Sequence, residues 1–200
     1  MKKVIVATCN EDKMKEIREI LAGDGIEYVS LNDENLSDIP IIENGSTFEE
    51  NAIIKAKTIS EVTKSMVIAD DSGLEVDYMD KAPGIYSARF LGEDTPYTVK
   101  NNYIIDQLKS AKGSERSARF VCVMACVFPD GKVITTRGIV EGRIAYEEKG
   151  NNGFGYDPVF YLPDRGCTTA QLPPEEKNLI SHRGNALRAM YERLKGEKIL

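Results

Sequence analysis

The chain has 200 residues, of which 42% are hydrophobic and 29% are charged, and its formal net charge is -6. These proportions argue against a disordered or fibrous protein. The acidic balance argues against general nucleic-acid binding, so any basic region would be a local pocket for a small anion. The sequence has no run of ~20 apolar residues that could span a membrane, and its N-terminus lacks the pattern of a signal peptide.

The first part of the chain predicts strands that alternate with helices. Residues 3–8 form a β-branched run typical of a strand, and Asn10 can cap the helix that follows. A second helix should begin after Thr47, because Thr47 and Glu50 have the spacing of a capping box. Residues 66–69 then read as a buried strand, which gives this part of the chain an α/β pattern.

The sequence of the rest of the chain predicts two further helices, with three strands between them. Thr95 should cap a helix that has a proline in its first turn. Residues 119–128 and 132–144 read as two long strands joined by a Pro-Asp-Gly turn, which is a hairpin signal. Residues 157–162 predict another strand, and Ser181 should cap the last helix.

This order of elements predicts the architecture. Strand–helix–strand crossovers and a hairpin together indicate an α/β fold with a mixed sheet flanked by helices. Because no repeat, low-complexity tract or linker interrupts the chain, we expect a single domain over residues 1–200. The four cysteines lack CxxC pairs and metal-ligand spacing, so we expect reduced thiols in the cytoplasm and no zinc.

The turn after the first strand is a candidate phosphate site. Thr8 and Asn10 lead into a helix N-terminus, where free backbone N–H groups and the helix dipole attract anions, and Lys13 adds a full positive charge. The segment lacks the glycine-rich pattern of a P-loop. A capped helix with a surface lysine is the alternative interpretation.

Two adjacent carboxylates, Asp70 and Asp71, directly follow the apolar run of the second predicted strand. Because side chains alternate along a strand, both can face one ion only if the chain turns, and Ser72 and Gly73 predict a turn there. A carboxylate at this place suits the binding of Mg²⁺ or the removal of a proton from an attacking water. The alternative is a solvated turn.

Two further segments suggest recognition of a nucleobase. Residues 150–158 are rich in glycine, and a base stacked on Phe154 would explain an aromatic side chain there; a tight hairpin with its aromatic in the core is the alternative. The only histidine, His182, lies beside Arg183, and with Lys177 they could donate to carbonyl oxygens on a purine edge. A lone histidine with a structural role is the alternative.

Taken together, these segments resemble the inosine triphosphate pyrophosphatase family, the non-standard purine NTP pyrophosphatases, from one end of the chain to the other. Six stretches in the same order are far more specific than any one of them. The matching stretches are Thr8-x-Asn10-x-x-Lys13, Thr47-Phe48-x-x-Asn51-Ala52-x-x-Lys55-Ala56, Ala69-Asp70-Asp71-Ser72-Gly73-Leu74, Ala82-Pro83-Gly84-Ile85-Tyr86-Ser87-Ala88-Arg89, Gly153-Phe154-Gly155-Tyr156-Asp157-Pro158 and Ser181-His182-Arg183-Gly184.

The resemblance implies hydrolysis of ITP, dITP and XTP to the monophosphate and pyrophosphate, with Mg²⁺, by an elongated α/β homodimer with an active-site cleft between two lobes. It also implies that Asp71 is the general base and a metal ligand. Relatives often carry two consecutive glutamates where this chain has Ile42 and Glu43, so either Glu43 is the second metal ligand or Asp71 holds the ion with water. The residues implied to bind the triphosphate are Thr8, Asn10, Lys13 and Lys55, and Ser72 is a further implied substrate contact. The implied base-binding strand consists of Phe154, Gly155, Tyr156 and Asp157. The residues implied to recognise the purine are Lys177, His182 and Arg183.

Two rival functions use the same residues. The chain could sense purine triphosphates without turning them over, or it could be a sister pyrophosphatase that acts on modified pyrimidine nucleotides. For the purine enzyme, pocket donors would favour hypoxanthine and xanthine, which carry an acceptor at position 6, over adenine, which carries a donor there. We expect a small nucleotide as the partner, and neither a nucleic acid nor a membrane.

Overall fold

The computed structural model describes residues 2–23 and 25–199, and within them it has seven β-strands and five α-helices. The strands are β1 (Lys2–Val6), β2 (Ile26–Val29), β3 (Val67–Val76), β4 (Ser117–Val127), β5 (Val133–Ile144), β6 (Phe160–Leu162) and β7 (Cys167–Thr168). The helices are α1 (Glu11–Ile20), α2 (Phe48–Thr63), α3 (Tyr97–Gln107), α4 (Pro174–Ile180) and α5 (His182–Gly196). No helix in these described ranges is both long and apolar enough to cross a membrane.

The described strands form one sheet in the order β2-β1-β3-β4-β5-β6-β7. Strand β1 is parallel to both β2 and β3, as expected where a helix connects successive strands. Strand β6 is antiparallel to both β5 and β7. The sheet is therefore mixed, which confirms the α/β fold predicted from the sequence.

Of the four helices predicted from capping residues, the first two begin where their caps place them. The Asn10 side chain accepts a hydrogen bond from the backbone N–H of Lys13 at 2.9 Å, and α1 starts at the next residue. The Thr47 hydroxyl accepts from the backbone N–H of Glu50 at 3.1 Å, and α2 follows it. Each cap satisfies one of the N–H groups that a helix start leaves unpaired.

The predicted turn at Ser72 and Gly73 is wrong, because β3 continues through both residues to Val76. Leu74 and Val76 are fully buried and extend the apolar pattern of the strand beyond the two aspartates. The backbone N–H of Leu74 also donates to the Ser87 hydroxyl at 2.9 Å. Packing of the later residues therefore outweighs the local turn preference of the Ser-Gly pair.

Other element ends differ from the prediction by a few residues. The Thr95 hydroxyl donates to the Leu91 carbonyl at 2.6 Å instead of capping α3, which starts at Tyr97. Asp157–Val159 form a single 3₁₀ turn, so the strand predicted over residues 157–162 begins only at Phe160. Neither β2 nor α4 was predicted, since both are short and lack a strong periodic pattern.

The chain divides into two compact units. The first unit comprises Met1–Asp71, Cys122–Gly138 and His182–Leu200, and the second comprises Ser72–Val121 and Ile139–Ser181. Each unit has its own apolar core, built in the first around Met14, Ile17, Ile68, Met124 and Leu187 and in the second around Leu74, Ile104, Leu108, Phe120 and Phe160. A single domain over residues 1–200 stays a prediction.

In the first unit, α5 packs closely against β5 at Gly138. A Cβ atom added at Gly138 would lie 2.1 Å from the His182 carbonyl oxygen and 2.6 Å from the Ala186 backbone nitrogen. Because these contacts are backbone atoms, Gly138→Ala should lower the free energy of unfolding by about 1–3 kcal/mol, as measured by urea denaturation. Gly196→Ala is the matched control, since nothing lies within 4 Å of its added Cβ, and equal stability of both variants would contradict the prediction.

Candidate functional site

The two adjacent aspartates of β3 are buried and have different partners. Asp70 is 1% exposed and Asp71 is 7% exposed, so the alternative of a solvated turn is wrong. Asp70 Oδ2 lies 2.9 Å from Lys13 Nζ and 3.2 Å from Arg183 Nη2, whereas Asp71 Oδ1 lies 3.0 Å from Lys55 Nζ. Alternation along an extended strand explains why neighbouring carboxylates reach different cations.

The partners of Asp70 form a buried ion network, the Asp70 cluster of Glu16, Arg183, Asp70 and Lys13. Arg183 is 2% exposed, and besides Asp70 its guanidinium also pairs with Glu16, which lies on the buried side of α1. Burial would raise the pKa of Asp70, but the charges of Lys13, Arg183 and Lys55 outweigh it and hold that pKa well below its usual range. Asp70 therefore stays ionised.

The partners of Asp71 form the Asp71 cluster of Glu43, Lys55 and Asp71. Lys55 lies on the buried face of α2, and its Nζ is 2.8 Å from Glu43 Oε2 as well as 3.0 Å from Asp71 Oδ1. Burial would lower the pKa of Lys55, but Asp71, Asp70 and Glu43 raise it above its usual value. Burial raises the pKa of Asp71 in turn, which the attraction of Lys55 offsets only in part.

The second oxygen of Asp71 is the unusual feature of this cluster. Asp71 Oδ2 is buried and makes no hydrogen bond with any residue that the structure describes. A buried carboxylate oxygen without a partner is costly, so its presence calls for a ligand, a water or an ion. This oxygen therefore indicates a functional site at the Asp71 cluster.

The Asp71 cluster fits a divalent cation such as Mg²⁺. Its two carboxylates supply hard oxygen atoms, and they already hold one positive charge, that of Lys55. The described residues contain no group of three or more His, Cys, Asp or Glu side chains arranged for a metal. Two carboxylates suffice for Mg²⁺, which commonly keeps several waters and phosphate oxygens as its other ligands.

The structure also bears on the choice of Glu43 as a metal ligand. Ile42, the residue before Glu43, is 73% exposed. The carboxylate that reaches Lys55 is that of Glu43. One acidic side chain therefore lies beside Lys55 and Asp71, and its role toward a metal stays a prediction.

The turn from β1 into α1 is well ordered by its own side chains. The Thr8 hydroxyl accepts from the Asn10 backbone N–H at 3.1 Å, and Asn10 in turn caps the helix. The Lys13 side chain is only 19% exposed and pairs with Asp70, so the alternative of a surface lysine is wrong. The roles of Thr8, Asn10 and Lys13 toward a triphosphate stay predictions.

In the second unit, Phe154, Asp157 and Lys177 make up the Phe154 cluster. Asp157 Oδ2 accepts from the Phe154 backbone N–H at 2.9 Å and pairs with the ammonium of Lys177, which lies 5.1 Å from the centroid of the Phe154 ring. Asp157 and Lys177 are buried, whereas Phe154 is half-buried. Gly153 has a φ of +72°, and an added Cβ would lie 2.1 Å from Asp157 Oδ2, so only glycine fits before Phe154.

The segment that carries Phe154 is a turn and not the predicted base-binding strand. Tyr156 is 4% exposed, its hydroxyl donates to the Ser87 carbonyl at 2.7 Å, and its ring meets that of Tyr97 edge to face at 5.2 Å. Burial raises the pKa of Tyr156 well above its usual value. Asn101 Nδ2 donates to the Gly155 carbonyl at 3.3 Å, a contact that the sequence did not indicate.

The three predicted purine readers fall in two units. Lys177 belongs to the second unit, whereas His182 and Arg183 begin α5 in the first. His182 is 8% exposed, and Arg183 lies within the Asp70 cluster. Ser72 is half-buried and directly follows Asp71. The contacts of these residues with a purine stay predictions.

Buried lysine–carboxylate clusters on an α/β sheet suit enzymes that act on phosphate anhydrides, because such chemistry requires mainly positioning and charge neutralisation. Comparison with known proteins makes the class specific. The family model of the Ham1 family matches residues 4–193, and the chain belongs to the Ham1 family. The resemblance seen in the sequence motifs is thereby confirmed.

Individual relatives agree with this assignment. A Clostridium perfringens protein called dITP/XTP pyrophosphatase is 45% identical over 202 aligned residues, which cover 98% of each chain. A Bacillus licheniformis protein with the same name is 47% identical over 190 residues, 95% of this chain and 96% of its own. A solved HAM1 protein from Coxiella burnetii has a TM-score of 0.87 and 39% identity and covers 98% of this chain and 100% of its own.

Proposed function

We propose that this chain hydrolyses the non-standard purine nucleotides ITP, dITP and XTP to the nucleoside monophosphate and pyrophosphate. The observation that carries the proposal is the carboxylate of Asp71, which is buried beside Lys55 with one oxygen unpaired among the described residues. Relatives with the name dITP/XTP pyrophosphatase, aligned over nearly the whole chain, support it. The proposed role in the cell is removal of these nucleotides from the cytoplasmic pool.

The triphosphate is assigned to the two lysines of the first unit and to the start of α1. Lys13 and Lys55 are each held by carboxylates, so their ammonium groups are fixed in place before a nucleotide binds. A polyphosphate is the kind of anion that two such cations and a helix N-terminus attract together. Thr8 and Asn10 hold the turn that presents this helix end.

Asp71 is the proposed general base. Its unpaired Oδ2 would take a proton from water as the water oxygen bonds to the α-phosphorus, and the bond from that phosphorus to the β-phosphate oxygen would break. The leaving group is then pyrophosphate and not orthophosphate. Glu43 and Asp71 would hold Mg²⁺, which would neutralise the charge of the phosphates when bound.

The base is assigned to the Phe154 cluster of the second unit. The half-buried ring of Phe154 offers a face for stacking, and the nearby ammonium of Lys177 is a donor suited to an acceptor at position 6 of hypoxanthine or xanthine. Adenine carries an amino donor at that position and would leave a buried donor unsatisfied. A pocket built to hydrogen-bond one group of a base discriminates strongly against a base that lacks this group.

Removal of the Phe154 ring should mainly weaken substrate binding. Because stacking contributes about 1–3 kcal/mol per base, Phe154→Ala should raise KM for ITP by about tenfold or more, with a smaller change in kcat. Steady-state kinetics with ITP and XTP measure both constants. Phe154→Tyr keeps a ring and should retain the KM, and an unchanged KM in Phe154→Ala would remove stacking from the proposal.

The decisive experiment is a nucleotide panel assayed for pyrophosphate and orthophosphate release with Mg²⁺. ITP, dITP and XTP should release pyrophosphate much faster than ATP, GTP or methylated pyrimidine triphosphates, and chelation with EDTA should stop turnover. Binding of ITP without pyrophosphate release would favour the nucleotide sensor instead. Preference for the modified pyrimidines would favour the sister pyrophosphatase.

We also infer a homodimer, as the resemblance implies, with no nucleic-acid or membrane partner. Aromatic side chains are enriched in protein interfaces. The second unit exposes Tyr78, Tyr86, Leu91, Tyr97, Val99 and Tyr103. Size-exclusion chromatography with light scattering should give twice the mass of one chain, and a single-chain mass would refute the dimer.

A further inference from the structure

The second unit contains a cavity of about 450 Å³ that none of the clusters described above lines. Its volume lies within the range of ~300–1,000 Å³ that is usual for small-molecule sites. The cavity is bounded by β5 and the loop after it, by β6 and β7, and by the 3₁₀ turn that precedes β4. The side chains on which the following argument rests are Arg116, Arg143, Tyr146, Glu147, Lys149 and Tyr161.

The charge of this lining is opposite to that of the whole chain. Arg116, Arg143 and Lys149 face one carboxylate, that of Glu147, whereas the chain has a formal net charge of -6. Lys149 Nζ pairs with Glu147 at 3.0 Å. The exposed guanidinium of Arg143 makes no hydrogen bond or ion pair with any residue in the described ranges. An unpaired cation in a positive cavity selects an anion.

Hydrogen bonds to backbone carbonyls hold the Arg116 side chain in the lining of the cavity. Arg116 is 2% exposed, and its guanidinium donates to the carbonyls of Leu108 at 2.6 Å and of Ile144 and Ala145 at 2.7 Å each. The ring of Tyr146 covers this guanidinium, with the Arg116 Cζ 4.2 Å from the ring centroid. Tyr146 is nevertheless 66% exposed, so a ring held on one side by a fixed cation remains open to solvent.

A second aromatic side chain lies next to the unpaired arginine. Arg143 on β5 and Tyr161 on β6 are directly opposite each other in the antiparallel register, which puts their Cβ atoms within about 5.5 Å. The cavity thus combines an open aromatic ring, a second tyrosine and an unpaired guanidinium. A planar heterocycle that bears an anionic group matches all three features, whereas a simple inorganic anion would leave the tyrosines unused.

We propose that this cavity is a second nucleotide site, separate from catalysis, that binds a nucleoside monophosphate with its base on Tyr146 and its phosphate at Arg143. The site does not depend on the function proposed above, since none of its residues belongs to the Asp70, Asp71 or Phe154 clusters. Occupation of such a site would let the nucleotide pool act on the protein without competing for the substrate groups.

AMP is a suitable probe, because it is neither a substrate nor a product of the proposed reaction and its base lacks the acceptor at position 6. Isothermal titration of the full chain with AMP should show saturable binding at micromolar to millimolar concentrations. Arg143→Ala and Tyr146→Ala should each weaken this binding about tenfold, while Tyr146→Phe, which keeps the ring, should bind nearly as well as the unaltered chain. ITP hydrolysis by Arg143→Ala should be unchanged.

Arg137→Ala is the matched control, since Arg137 is an exposed arginine on the same strand and does not line the cavity. Absence of AMP binding, equal binding by Arg143→Ala and Arg137→Ala, or loss of binding in Phe154→Ala would each overturn the proposal. The last result would place AMP at the substrate site instead. Because the titration involves no turnover, its outcome is independent of whether the proposed pyrophosphatase activity is found.

Discussion

Replacement of Asp71 by asparagine should lower kcat for ITP hydrolysis by about 10³-fold, in the range expected when a general base is lost. Asparagine keeps the shape of the side chain but cannot accept the proton of the attacking water. Nucleotide binding should persist within a few-fold, because the lysines assigned to the triphosphate remain. Steady-state kinetics of pyrophosphate release, together with a binding titration, measure both effects.

The fold should survive this substitution, since Lys55 keeps Glu43 as a partner at 2.8 Å. Asp38→Asn is the matched control, because Asp38 is exposed in the same unit, and its kcat should stay at the level of the unaltered chain. Unchanged turnover in Asp71→Asn would remove Asp71 from its proposed role. Loss of binding with a normal kcat would instead make Asp71 a substrate-binding residue.

The second large effect concerns stability. Arg183→Met should lower the free energy of unfolding by about 3–5 kcal/mol, as is usual when one partner of a buried ion pair is removed. The substitution removes the Arg183 guanidinium from buried Glu16 and from Asp70, which keeps its ion pair with Lys13. Urea denaturation followed by circular dichroism gives the difference directly.

Two further variants separate charge from packing in this network. Glu16→Leu combined with Arg183→Met removes both buried charges and should recover much of the loss, because an apolar pair of similar volume is often as stable as a buried ion pair. Arg193→Met, on the exposed side of the same helix, should change stability by less than about 0.5 kcal/mol. A similar loss for Arg183→Met and Arg193→Met would mean that the network contributes little.

Local sequence signals predicted the parts of the fold that local interactions determine. The starts of α1 and α2 follow from Asn10 and Thr47, whose side chains accept backbone hydrogen bonds three residues on. The continuation of β3 could not be read in this way. The preference of Ser72 and Gly73 for a turn is local, whereas Leu74 and Val76 are buried through packing with distant segments.

In the candidate site, too, local motifs identified some residues, whereas residues with distant partners were missed. Motifs identified Asp71, Lys13 and Lys55, and the structure places each of these lysines beside an aspartate. Glu16 was missed because a glutamate in an amphipathic helix looks like any solvent-facing residue until its partner Arg183 is known, 167 positions along the chain. Tyr156 lies inside a motif, yet the observed bond of its hydroxyl is to the backbone of Ser87.

The separation of Asp70 and Asp71 by a single peptide bond has an evolutionary consequence. Asp70 faces a structural ion network, and Asp71 faces the proposed reaction centre. Insertion or deletion of one residue upstream in β3 would turn each side chain to the opposite face of the sheet, so the ion network and the reaction centre would both lose their carboxylate. Substitutions in this stretch should therefore keep its length constant, and length variation among descendants of this chain should accumulate in loops that carry no site residue, such as the turn between β4 and β5.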